Sequence, residues 1–185
     1  MKKIVSLIAI VLFAAGALHA QEDDQSLLKN KWLVGGAVGF SKDNNSGTET
    51  TDFSILPSVG FFLENDFAIG LSAGYEQTKV KIDGISSKKE FYGVLPYARK
   101  YWFPASKLMP FAQGDVRLGW AKDSSADNFA WGVNLRPGLT YRLNDSIAFD
   151  AIIGRFGYDN EGKDSDNYGF GLDLTELKLG IIVFL

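Results

Sequence analysis

From Asp127 to Leu143 the chain alternates residue types. Phe129, Trp131, Val133, Leu135, Pro137, Leu139, Tyr141 and Leu143 take the odd positions. Asn128, Ala130, Gly132, Asn134, Arg136, Gly138, Thr140 and Arg142 take the even ones. Successive side chains of a strand point to opposite faces, so this run is a strand with one apolar, aromatic face and one small or polar face. The register of such a strand is strict, because a slip of one residue exchanges its faces.

Trp32–Ser41, Phe53–Phe62, Ala68–Glu76 and Pro110–Trp120 repeat the pattern, and weaker versions cover 89–102, 146–157 and 167–185. Eight strands are expected. The connectors alternate too: 42–51, 79–88, 121–126 and 158–166 are long or medium and polar, whereas 63–66, 103–107 and 143–146 are short. Loops therefore gather at one end of the sheet and turns at the other. Sequential hairpins of this kind form a meander, and an even strand number lets it close without leaving an edge. The expected fold is all-β, an eight-stranded antiparallel up-and-down barrel.

The composition of the two faces decides which one points out. A soluble barrel holds its apolar face inside and presents charged and hydroxylic residues to water. Here the polar face is mostly Gly, Ala and Ser with scattered charges. Glycine weakens strands and solvates nothing, but it suits a narrow lumen. The apolar face is then the lipid face. All four tryptophans lie on it near strand ends, Trp32 and Trp102 at the turn end, Trp120 and Trp131 at the loop end. With Tyr75 and Tyr141 they form the expected aromatic girdles, since such rings are apolar while their polar tips stay wet. The alternative is a secreted or periplasmic lipocalin-like barrel binding an apolar ligand.

Residues 1–20 read as a signal peptide: Lys2 and Lys3, the apolar run Ile4–Ala15, then small residues up to Ala20. Cleavage is expected between Ala20 and Gln21, with Ala17 as a second option. Residues 21–30 are expected to be a periplasmic tail and 31–185 the barrel. Removing residues 1–20 takes away Lys2, Lys3 and His19, the one histidine, and leaves 17 basic against 22 acidic groups, a formal charge of −5. The chain has no Cys. Thiolate metal sites, cysteine nucleophiles and histidine bases are thus excluded from the mature chain. Its acidity argues against nucleic acid as a partner.

Three stretches carry a family resemblance: Ala20-Gln21, the strand Leu95-Pro96-Tyr97-Ala98-Arg99-Lys100-Tyr101-Trp102, and the last strand, where Leu177, Leu179, Ile181, Val183 and Leu185 alternate with Lys178, Gly180, Ile182 and Phe184. The chain resembles the small outer-membrane β-barrel proteins of the OmpA/OmpX type, especially the outer membrane protein beta-barrel domain group common in Bacteroidetes-like bacteria. Lys100 departs from the family's aromatic residue and is expected to snorkel near the turn end. The final Phe184-Leu185 departs from the usual terminal aromatic. The resemblance implies export to the Gram-negative outer membrane, with both termini in the periplasm and four loops outside. It also implies contact with membrane lipid and lipopolysaccharide, and insertion by the barrel-assembly machinery. The peptidoglycan-binding domain of full-length OmpA-type proteins is not expected.

On this phasing the lumen holds Glu76, Asp115 and Asp150 with Arg99, Arg117, Arg136 and Arg142, and Glu176 or Lys178 beyond a bulge near Thr175. Charges of both signs in a narrow interior predict a salt-bridge plug rather than a channel, with a narrow pore or proton relay as the minor alternative. Asp115 with Asp150 is the acid pair that carboxylate hydrolysis would need; no catalytic residue, cofactor or metal is expected. The acidic segment Asp159–Asp166 lacks the ligand order of a calcium loop and reads as a solvated loop. Lys79–Lys89 is basic and suited to lipid phosphates. Gly35–Gly39 sits inside a strand with no helix after it, so it is not a phosphate loop. The expected role is non-enzymatic: envelope integrity, adhesion or another surface contact.

Overall fold

A computed structural model describes residues 28–45, 47–82, 85–123, 127–160, 166–171 and 177–185, the stretch 166–171 by its backbone alone. The expected signal sequence, its expected cleavage point, Thr175 and Glu176 lie outside the described residues.

The described residues form ten strands: β1 (Trp32–Asn45), β2 (Thr48–Glu64), β3 (Phe67–Ile82), β4 (Ile85–Tyr101), β5 (Leu108–Lys122), β6 (Asp127–Arg142), β7 (Ile147–Ile152), β8 (Arg155–Asn160), β9 (Asp166–Gly171) and β10 (Lys178–Phe184). They form eight staves, because β7 with β8 and β9 with β10 each follow one another along a single stave. The first six strands pair in sequence, β6 pairs with both β7 and β8, β8 with β9, β7 with β10, and β10 with β1. The ring is closed and every pairing is antiparallel.

The break between β7 and β8 is a bulge. Gly138 faces Ile152, but Leu135 faces Phe156, so one extra residue has entered the seventh stave. Gly154 takes φ 80° there, a conformation that a side chain disfavours. The extra residue reverses the phase: Ala148, Asp150 and Ile152 face inward before it, Arg155 and Asp159 after it.

The long loops expected at 42–51 and 79–88 are largely strand, and the connector expected at 121–126 begins with the last two residues of β5. β1 and β2 stay in register to Asn45↔Thr48, β3 and β4 to Ile82↔Ile85, and β5 and β6 to Lys122↔Asp127. The 158–166 connector is shortened likewise by β8 and β9, whose register runs to Asn160↔Asp166. Polar sequence marks these stretches as wet on both faces, which is no obstacle to an antiparallel ladder. At about 3.3 Å per residue and the usual tilt, a 17-residue strand such as β4 stands roughly 40 Å tall. That exceeds the ~25 Å apolar band of a membrane barrel, so the hairpins project beyond it.

The base of the lumen is apolar. Leu28, Leu33, Phe62, Ala68, Tyr101, Met109, Phe111, Ala148, Ile152, Ile182 and Phe184 pack together there. Leu28 belongs to the segment expected to be tail, yet it is fully buried. Asn30 at φ 66° turns the chain back, the Asn30 N–H donates to the Phe62 carbonyl, and the Lys29 N–H donates to the Asn65 side chain. Residues 28–30 are thereby stitched under the barrel as a stopper.

Candidate functional site in the barrel lumen

Above the apolar base the inward positions become polar, and β4, β5, β6 and β7 supply the first layer. The Arg99 guanidinium lies 4.0 Å from the Phe111 ring centroid and donates to both Asp150 oxygens at 3.0 and 3.2 Å. It also donates to the Gln113 amide oxygen at 2.7 and 3.0 Å and to the Tyr101 hydroxyl at 3.1 Å. Thr140 completes the shell of Asp150 with a donated bond of 2.6 Å.

Arg136 Nε donates to Asp115 at 2.7 Å, and Asn134 donates to the other Asp115 oxygen at 3.2 Å. The Gln113 amide, 3.4 Å from Asp115, bridges the two pairs. Both arginines and both aspartates are buried. Ionised side chains persist in such a setting only when paired and hydrogen-bonded, and here all four are.

Beside this layer Tyr97 lies across Gly70 and Gly60, its opposite residue on β3 and that residue's partner on β2. A Cβ on Gly70 would stand 2.5 Å from the Val59 carbonyl oxygen and run into the tyrosine ring. Glycine on these staves is what admits the ring. A void of about 20 Å³ remains between Ser58, Ser72, Arg99, Gln113, Arg136 and Asp150. It has room for one water and no more.

Higher up, Glu76 receives Lys178 at 2.8 Å and Arg117 at 3.3 Å, and the Arg117 guanidinium sits 3.3 Å over the Phe91 ring. Arg155 pairs with Asp159 and donates to Asn134 at 3.2 Å. A cavity of about 280 Å³ opens above these groups toward the hairpin ends, with Ser41, Asp52 and Thr78 at its mouth. Outside it, at the β1–β2 hairpin tip, the Lys42 ammonium hydrogen-bonds Glu49 and holds that carboxyl below the usual carboxylate range. Among the described residues the lumen is thus packed at the base, ion-paired through its middle and open toward the hairpin ends.

Six of the seven lumen residues singled out by sequence lie in these ion-paired layers. Arg142 is buried as well, but lower down. Its side chain lies at the base and bonds the Pro104 carbonyl and Asp145, both in turns. It stands opposite Ala148 of the apolar base, and from there its guanidinium reaches the turns. Gln113, Asn134 and Thr140 were legible as inward positions but are uncharged, so nothing set them apart. Arg155 and Asp159 were hidden by the bulge, whose signal is Gly154 within a strand.

On the outer face Trp32, Trp102, Trp120, Trp131 and Tyr141 are 40% to 53% exposed, and Tyr75 is half-buried. Lys100 also points outward, and its ammonium meets Asp66 in the first turn. The acidic segment 159–166 begins on β8 and ends on β9, and its centre, 161–165, lies outside the described residues.

Residues 5–175 match the model of the family described as "Outer membrane protein beta-barrel domain". The chain belongs to that family. No curated protein matches this outer-membrane barrel by sequence. Among solved structures it is similar to Neisserial surface protein A, at 18% identity and a TM-score of 0.51, over 83% of this chain and 93% of that one. The outer membrane protein OprG from Pseudomonas aeruginosa is 13% identical with a TM-score of 0.44, over 86% and 94% of the two chains. The first likeness agrees with the eight-stave ring seen here, and the family places the protein in the Gram-negative outer membrane.

Proposed function

We propose that this outer-membrane barrel is non-enzymatic and has a structural or surface-contact role, in envelope integrity or adhesion, with its lumen plugged by side chains. The observation that carries the proposal is the network from Asp150 through Arg99, Gln113, Asp115 and Arg136. It fills the middle of the lumen and leaves space for a single water. An eight-stranded barrel is too narrow to hold such a network and an aqueous path together. Asp115 and Asp150, the acid pair considered for hydrolysis, each bind an arginine, an arrangement that supports a structural use of both. An apolar ligand inside the barrel is disfavoured, because the cavity that remains is lined by charges. With the interior occupied, contact with other molecules falls to the projecting hairpins.

Recording from planar bilayers tests the plug. Purified full-length protein is expected to insert without a stable conductance. A large, long-lived single-channel current from the wild-type protein would favour the narrow-pore alternative and remove the plug.

A further inference from the structure

The outward side of the β3–β4 hairpin carries charge in a particular arrangement. Ile55, Tyr75, Tyr92, Trp120 and Phe129 stand side by side across β2 to β6 as one outward row. Tyr92 stacks on Trp120 at 6.0 Å between centroids, and Trp120 meets Phe129 at 6.1 Å. Such a row marks the boundary between hydrocarbon and headgroups. Four residues farther along β3 is Lys79, directly opposite Lys88 on β4, and Lys81 follows on the same face. Like charges directly opposite one another in a sheet oppose the pairing, so the arrangement calls for an anion.

Among the described residues, the acidic groups beside these lysines are already engaged. Glu90 lies between the aromatic row and the lysines, but it already binds Lys88 at 2.9 Å and accepts from the Tyr75 hydroxyl at 2.6 Å. Glu49, opposite Lys81, is ion-paired with Lys42 at 2.7 Å. Among the described residues Lys79 and Lys81 have no ion pair of their own. Height selects the counter-ion. Four residues of a tilted strand put the Lys79 Cα about 10 Å above the aromatic row, and its long side chain reaches back into a headgroup layer some 5–7 Å deep.

We infer that Lys79, Lys81 and Lys88 form a docking surface for a phosphate-bearing lipid headgroup in the leaflet around the hairpin end. The inference rests on the membrane reading of the barrel. Failure of that reading would show separately, as wild-type protein that does not insert into vesicles at all. Ammonium groups act here as point charges, so the surface selects for phosphate charge rather than headgroup shape.

The test uses full-length protein in phosphatidylcholine nanodiscs, titrated with lipid A and read by native mass spectrometry. Heat-modifiable gel migration checks the fold of each variant. At roughly a fivefold effect per lysine near a charged surface, Lys79→Gln with Lys88→Gln lowers lipid A affinity about 30-fold. Lys107→Gln, at the turn end, leaves it unchanged, and the double arginine variant, Lys79→Arg with Lys88→Arg, retains it. Equal affinity in wild type and the glutamine variant overturns the assignment, as does an equal loss in Lys107→Gln. Inorganic phosphate competing at the same concentration as lipid A would also overturn it, by making the ligand a soluble anion rather than a bilayer lipid.

Discussion

Replacing Arg136 by leucine leaves the Asp115 carboxylate, whose side chain is fully buried, with only the neutral donors Asn134 and Gln113. Removing one partner of a buried ion pair typically costs about 3–5 kcal/mol, because the other charge stays desolvated and uncompensated. A typical net stability is roughly 5–15 kcal/mol, so the barrel is expected to stay folded at 25 °C with a much lower unfolding midpoint. The companion change Asp115→Leu removes the stranded charge. Replacing the whole pair by apolar residues is often neutral, although Asn134 then loses its acceptor at a cost of ~1 kcal/mol. The double variant is therefore expected to be about 2 kcal/mol or more better than the sum of the two single losses. Urea unfolding in lipid vesicles, followed by tryptophan emission and gel migration, yields all four corners of the cycle. A cost below ~1 kcal/mol for Arg136→Leu, or losses that simply add, would refute the view that this pair holds the lumen.

Leu28→Ala empties the stopper under the barrel and is expected to cost about 2–5 kcal/mol in the same unfolding assay, as for any large core truncation. A loss within ~0.5 kcal/mol would show that the tail merely rests there. Gly70→Ala forces a Cβ against the Val59 carbonyl and the Tyr97 ring, and should lower the unfolding midpoint, with recovery in the Gly70→Ala, Tyr97→Leu double variant. Lys100→Met breaks only the exposed pair with Asp66 and is expected to change stability by less than about 1 kcal/mol. A larger loss would mean that this outward cation is buried against something other than lipid headgroups and water.

Much of the fold was legible because strand periodicity speaks directly about faces. A run such as Phe129, Trp131, Val133 and Leu135 states which side chains share a side, and a closed meander then fixes inside and outside together. The partners within the lumen were not legible. Arg99 meets Asp150 across 51 residues because of the stagger of the staves, and stagger leaves no trace in local sequence. Arg155 and Asp159 were lost to one inserted residue at Gly154, which reverses every later side chain on that stave. Leu28 was missed for a different reason: a single apolar residue in a polar tail has no period, and its destination is set by the shape of the barrel floor. The hairpins were read as loops because polarity was equated with irregularity, whereas β strands wet on both faces need only each other.

The central claim is that the aromatic face meets lipid while the interior is closed by its own side chains. The four tryptophans report on it directly in the unmodified protein, since Trp32, Trp102, Trp120 and Trp131 all point outward near strand ends. In vesicles made from lipids brominated at chosen acyl positions, their emission is expected to be strongly quenched, most by bromines near the headgroups and least by those at the bilayer centre. Emission unaffected by brominated lipid, or quenched most strongly from the centre, would contradict the claim.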